Sequence, residues 1–253
     1  STTEKIPTVT TYRFHPSRLT QDSWPVFTGT MMGLGEPTDR PINAWEEMFL
    51  PVRMMNQLHS VRVQTANGTE PLVMNEEVLF QATRPAEDVA VRRGMGGYLL
   101  IALVILALGL ALWVLGRNGN RAAVLSLAAL WSFIAGLAGV LLTGLWAFTD
   151  HLYSYRNENV LQLDPLSIVV AIMLIPLIWK RRGGLPGTSG RSTFIAATLV
   201  AALSVIGFVM QVVPAFNQVN GDVIALAMPL HLGVVVLLSA LGLSQRAVTT
   251  RAT

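Results

Sequence analysis

The residues best equipped for chemistry sit in one stretch, Thr149-Asp150-His151-Leu152-Tyr153-Ser154-Tyr155-Arg156-Asn157-Glu158-Asn159. A carboxylate beside an imidazole can orient or charge it, and Asn side chains can position a carbonyl or a lipid headgroup. The same residues also suit an ordinary capped loop. In that reading Thr149 or Asp150 ends a helix, Tyr153 and Tyr155 anchor at a membrane interface, and Arg156 pairs with Glu158. His231 is the second candidate, because it lies eight residues into an otherwise uncharged run. An ionisable group at that depth marks either a functional site or a hydrogen bond across helices, with Ser204, Thr143 or Ser132 as candidate partners.

Other chemistries find little support. The sequence has no cysteine, which excludes a disulfide framework, a thiolate metal site and a cysteine nucleophile on these 253 residues. Glu46 and Glu47 are neighbours, and on a helix neighbours point about 100° apart, so they do not converge as paired carboxylates. One is expected in solvent and the other in an ion pair, with Arg53 as candidate. His15 and His59 have no metal-ligand spacing around them, and no metal or cofactor is expected. The apolar runs hold no Asp or Glu, which disfavours a proton or ion path. Asn67-Gly68-Thr69 matches a glycosylation sequon, but a turn accounts for it.

The elements that position these residues follow from composition. Charged residues make up 13% of the chain, against roughly a quarter in soluble domains, and mean hydropathy is +0.50. Crossing a bilayer takes about 20 apolar residues. Uncharged runs over 98–116, 122–148, 166–179, 193–213 and 223–243 supply five spans. The third is short, but Asp164 and Pro165 form a cap and first-turn pair at its start. Gly136, Gly139 and Gly144, with Ala135 and Ala138, give the second span a small-residue face for close helix contact. The expected fold is mainly α, a five-helix transmembrane bundle over 98–253 preceded by a small α+β extracytoplasmic segment over 1–97.

Orientation follows from cation placement. One set of connections holds Arg117, Arg121, Lys180, Arg181, Arg182, Arg191, Arg246 and Arg251, whereas the alternate set holds only Arg156. This puts residues 1–97 and the 149–164 and 214–222 loops on the exterior or periplasmic side, with the C-terminus in the cytoplasm. Arg92 and Arg93 run against the rule. Residues 1–97 carry 9 Lys/Arg against 11 Asp/Glu and residues 98–253 carry 9 against 4. The basic character therefore belongs to the membrane half, and nucleic-acid binding has no support. Ser1 opens the sequence with no Met and no signal-peptide pattern, as expected for a processed product or a fragment.

Within the first 97 residues, 61–65 and 72–74 flank Asn67-Gly68 and predict a hairpin despite Pro71. Asn43 is placed to cap a helix through Trp45 and Phe49 that Pro51 interrupts, with a second short helix over 52–58. So small a segment buries little apolar surface and is expected to pack on a second polypeptide. Residues 183–191 read as a flexible linker.

Two islands resemble a known family. Asp39-Arg40-Pro41-Ile42-Asn43-Ala44-Trp45-Glu46-Glu47-Met48-Phe49-Leu50-Pro51 is similar to the end of an extracytoplasmic domain, once a domain of unknown function, of Lnb-type lipoprotein N-acyltransferases. Thr149-Asp150-His151, Asn157-Glu158-Asn159-Val160-Leu161 and Asp164-Pro165-Leu166 resemble the membrane region that follows it, with Asp164 where Asn is expected and Val160 where Leu is. The resemblance implies acyl transfer within a lipoprotein substrate, from glycerol to the N-terminal amine, through a cysteine thioester assisted by a histidine. No catalytic residue carries over, because that region is absent. Asp150, His151, Asn157 and Asn159 are then the expected substrate-binding residues, with His231 as an intramembrane polar group and membrane lipids as partners. A non-catalytic assembly subunit of a membrane complex is the alternative.

Overall fold

A computed structural model of the chain describes residues 7–81, 83, 90–92, 94–115, 121–179 and 187–243. Arg117, the Lys180-Arg181-Arg182 cluster, residues 183–186 of the expected linker, Arg246 and Arg251 lie outside them. Residues 187–191, expected in that linker, instead open a helix. The chain divides into two compact units, one of residues Ser1–Thr30 and Thr38–Arg92, the other of Met31–Pro37 and Arg93–Thr253.

In the first unit β1 (Pro7–Thr11) pairs antiparallel with β2 (Pro41–Asn43) through an irregular register. Helix α1 (Phe14–Thr20) lies between them in sequence, and α2 (Trp24–Gly33) starts in this unit. Asn43 caps the short α3 (Ala44–Glu47): its Oδ1 accepts from the Glu46 amide at 2.8 Å, and the Glu46 carboxylate accepts from the Asn43 amide at 3.0 Å. That reciprocal box satisfies two amides that a helix start leaves open. Pro51 opens α4 (Pro51–Ser60) at the position where a missing N–H costs nothing. β3 (Arg62–Thr65) and β4 (Gly68–Pro71) form the expected hairpin, with Gly68 at φ +116°. Its second strand ends at Pro71, which has no N–H to extend the ladder, and does not run through 72–74.

The second unit is a bundle of five helices: α5 (Met95–Leu115), α6 (Arg121–Phe148), α7 (Leu166–Trp179), α8 (Gly187–Met210) and α9 (Gly221–Ala240). Four are long and apolar enough to cross a membrane alone. At 1.5 Å per residue the 14 residues of α7 reach only about 21 Å. Taken together with the short 3₁₀ turns over Leu152–Leu161, which meet α7 at a 44° bend, it is long and apolar enough to make the fifth span. The core runs through Leu125, Val170, Leu174, Leu177 and Leu238, with a second cluster around Ala135, Leu142, Leu163 and Ala227. Lipid-side residues such as Leu110, Leu141 and Ile172 stay exposed, as an apolar solvent permits.

Candidate functional site

The 149–164 loop enters the bundle, and backbone so placed must find partners for its polar groups. Space comes first. A Cβ on Gly139 would overlap the carbonyl oxygen of Leu163, and one on Gly136 would overlap the amide of Ile168. On the other flank a Cβ on Gly207 would lie 2.8 Å from Leu161 Cβ. Thus the small-residue face of α6 admits the start of α7 and the bend before it. Gly144, further along, meets nothing within 4 Å.

Side-chain amides then do the pairing. Asn157 and Asn159 are fully buried. Asn157 Nδ2 donates to the carbonyls of Met32 (2.8 Å) and Gly33 (3.2 Å), and Asn159 Nδ2 to those of Met31 and Met32 (both 3.0 Å). These carbonyls belong to the last turn of α2, where no intrahelical donor exists. Asn157 Oδ1 accepts from the Asn159 amide at 3.0 Å and from Gln218 Nε2 at 3.2 Å, while Gln218 Nε2 also reaches the Leu34 carbonyl at 3.0 Å. Glu158 accepts from Gln211 Nε2 at 2.6 Å, and its amide donates to Gln218 Oε1 at 2.7 Å. Arg156 turns instead toward Glu36, 3.6 Å away, from a backbone at φ +48°.

Deeper in, Gln162 joins three elements. Its Nε2 donates to the Ser204 carbonyl at 2.9 Å, and the Ser204 hydroxyl donates to its Oε1. His231 Nε2 lies 2.9 Å from the Gln162 carbonyl, and its Nδ1 lies 3.4 Å from the indole nitrogen of Trp131. A carbonyl only accepts and an indole N–H only donates, so the neutral Nε2–H tautomer satisfies both sides. His231 thus bonds across helices. Ser204 belongs to the same network through Gln162, and the two ring nitrogens of His231 are taken by Trp131 and Gln162 rather than by Thr143 or Ser132. Asp164 Oδ1 accepts from the Leu166 amide at 2.6 Å and so caps α7.

Asp150 and His151 are placed differently. Both are exposed, and neither side chain makes a hydrogen bond among the described residues. The backbone beneath them is fixed: Thr149 Oγ1 donates to the Leu145 carbonyl at 2.6 Å, the His151 amide donates to Thr149 Oγ1 at 3.3 Å, and the Tyr155 hydroxyl donates to the Thr149 carbonyl at 2.7 Å. The loop therefore offers a carboxylate and an imidazole on a rigid footing, fit to hold a polar substrate group or to exchange a proton. Gln162 and Gln218 were not singled out by sequence; the signal for Gln162 is a lone amide where the apolar run begins.

The first unit has its own polar cluster. Arg13 holds Asp39 through Nε (2.5 Å) and Nη2 (3.0 Å). His15, fully buried, has Nε2 3.1 Å from Glu47 Oε1, out of line for a hydrogen bond, and Nδ1 accepting from Arg18 Nε at 3.4 Å. Burial holds the His15 imidazole below its usual pKa, against the pull of the Glu47 carboxylate. Glu47 also accepts from Thr10 at 3.0 Å and lies 3.9 Å from Arg53, while Glu46 pairs with Arg40. The Arg40 hydrogen bond and the Asn43 cap hold the Glu46 carboxyl below its ordinary range. No group of three or more His, Asp or Glu among the described residues is arranged for a metal.

Residues 98–215 match the family model described as the Lnb transmembrane domain. This membrane region belongs to the Lnb-type family. The matched stretch of the Lnb domain takes in most of α5, all of α6, α7 and α8, and the whole polar loop; α9, which carries His231, lies beyond it. No curated protein and no solved structure matches the chain.

Proposed function

We propose that the chain is the membrane part of an Lnb-like lipoprotein acyltransferase whose thiol nucleophile is carried by a further polypeptide segment. The observation that carries the reading is the exposed Asp150-His151 pair on an otherwise locked loop, inside a region that matches the Lnb transmembrane domain. A thioester route needs an activated thiolate, and these residues hold no cysteine. Asp150 and His151 receive the polar end of the lipoprotein substrate. Asn157 and Asn159 contribute by fixing the loop that presents them. The loop faces the periplasm from the inner membrane, the C-terminus lies in the cytoplasm, and the first unit packs on the thiol-bearing segment. Trp45, Val52, Met54 and Met55, all exposed, support that last point.

A non-catalytic assembly subunit is the second reading, favoured by the commitment of Asn157 and Asn159 to backbone carbonyls. His151→Ala separates the two in membranes containing the thiol-bearing segment and a diacylated lipoprotein. Loss of a positioning group should lower acyl transfer on the order of 10- to 100-fold, with unchanged melting and unchanged co-purification. Transfer at the wild-type rate removes the loop from the mechanism, and a loss that tracks weaker co-purification favours the assembly subunit.

A further inference from the structure

At the end of the bundle away from the 149–164 loop, α5, α6 and α9 part around a cavity of about 580 Å³. Its lining is almost wholly apolar, from Ile105 to Trp113 on α5, Val124 to Trp131 on α6 and Pro229 to Ala240 on α9. The volume falls within the roughly 300–1,000 Å³ of small-molecule sites. Along α9 the lining covers about 16 Å at 1.5 Å per residue, close to the roughly 15 Å of hydrocarbon in one leaflet.

Arg121 supplies a second, independent observation. It opens α6 on the same face as Val124 and Ala128, spaced i, i+3 and i+7, about one turn beyond the cavity's end. Its Nε and Nη2 are buried and have no hydrogen-bond partner among the described residues. A guanidinium presents planar paired donors that fit a phosphate, and leaving buried donors unmade is costly. We infer that this crevice holds one acyl chain of an anionic phospholipid from the loop-distal leaflet, with Arg121 on the headgroup phosphate region. The charge of the arginine selects an anionic headgroup over a zwitterionic one, and the predominantly apolar lining selects a chain over a polar ligand. The inference does not rest on the acyltransferase reading.

Native mass spectrometry of the full chain, with phosphatidylglycerol or phosphatidylcholine of equal acyl length as probes, tests it. The wild-type chain should retain one phosphatidylglycerol at least about fivefold better than phosphatidylcholine, a preference of about 1 kcal/mol. Arg121→Gln should equalise the two. Gly109→Leu should displace both alike, since a Cβ there meets only Leu127 Cδ2 at 3.9 Å and the longer side chain grows into the crevice. Equal retention of both lipids by the wild-type chain overturns the inference. So does wild-type retention by Gly109→Leu, or a lipid-free dimer that this substitution breaks apart, which would make a second copy the occupant.

Discussion

The two ends of the membrane bundle solve opposite problems. At the loop end, non-helical backbone enters the bundle, and Asn157, Asn159, Gln162, Gln218 and His231 supply partners for carbonyls that lipid cannot satisfy. At the other end helices α5, α6 and α9 carry their hydrogen bonds internally, so the gap between them is left apolar. Polarity inside this bundle marks where chain geometry departs from the helix. A buried amide or imidazole here is therefore structural until an exposed neighbour, such as His151, shows an unspent side chain.

Substitutions sharpen that contrast, beginning with the largest effect. Gly139→Leu forces α6 off the Leu163 carbonyl, and overpacking costs roughly 1–3 kcal/mol, occasionally more, with a clash against backbone at the upper end. Gly144→Leu, five residues along with open space, should be neutral within about 0.5 kcal/mol; thermal unfolding in detergent compares them. Should both melt alike, the close seating of the bent segment is wrong. Next, Gln162→Leu strands the buried Ser204 hydroxyl, at a cost of about 1–3 kcal/mol, whereas Leu141→Gln at the exposed face tests only lipid contact. The Gln162 variant should also raise hydrogen exchange in 158–166.

The smallest effect is a pH dependence in the first unit. The folded-state pKa of His15 lies below its ordinary value of 6.5, so the unfolded chain takes up the proton first. The stabilisation is whole above about pH 6.5 and drains as pH falls from there toward the lowered folded value. Once the intrinsic slowing of exchange at lower pH is divided out, amide protection in α1 and β1 of the full chain should fall between about pH 7.5 and 5.5. His15→Gln should flatten that dependence while amides of α8 stay unmoved.

Much of the membrane unit was legible because its signal is local. Five uncharged runs stand out against a hydrocarbon thickness, and Asp164-Pro165 announces the start of a short helix. The Asn43-Glu46 box was equally readable, being a three-residue spacing. The antiparallel pair β1–β2 was not, since its partners lie some thirty residues apart and depend on burial. Helices α1 and α2 hid behind Pro16, Pro25, Gly29 and Gly33. The purpose of Asn157 and Asn159 was hidden for a related reason: the carbonyls they bond lie about 125 residues upstream. His231 could be read as a cross-helix bond, but its partner could not, because Gln162 reaches it only through the bend before α7.

The division of the loop into an exposed polar edge and a buried scaffold can be measured directly, because the chain has no native cysteine to interfere. His151→Cys and Ser154→Cys lie three residues apart, the first exposed and the second 4% exposed. In intact membranes opened to both sides, a water-soluble maleimide should modify the first at least about tenfold faster, the equivalent of 1.4 kcal/mol in protection. Equal rates at the two positions would contradict the account.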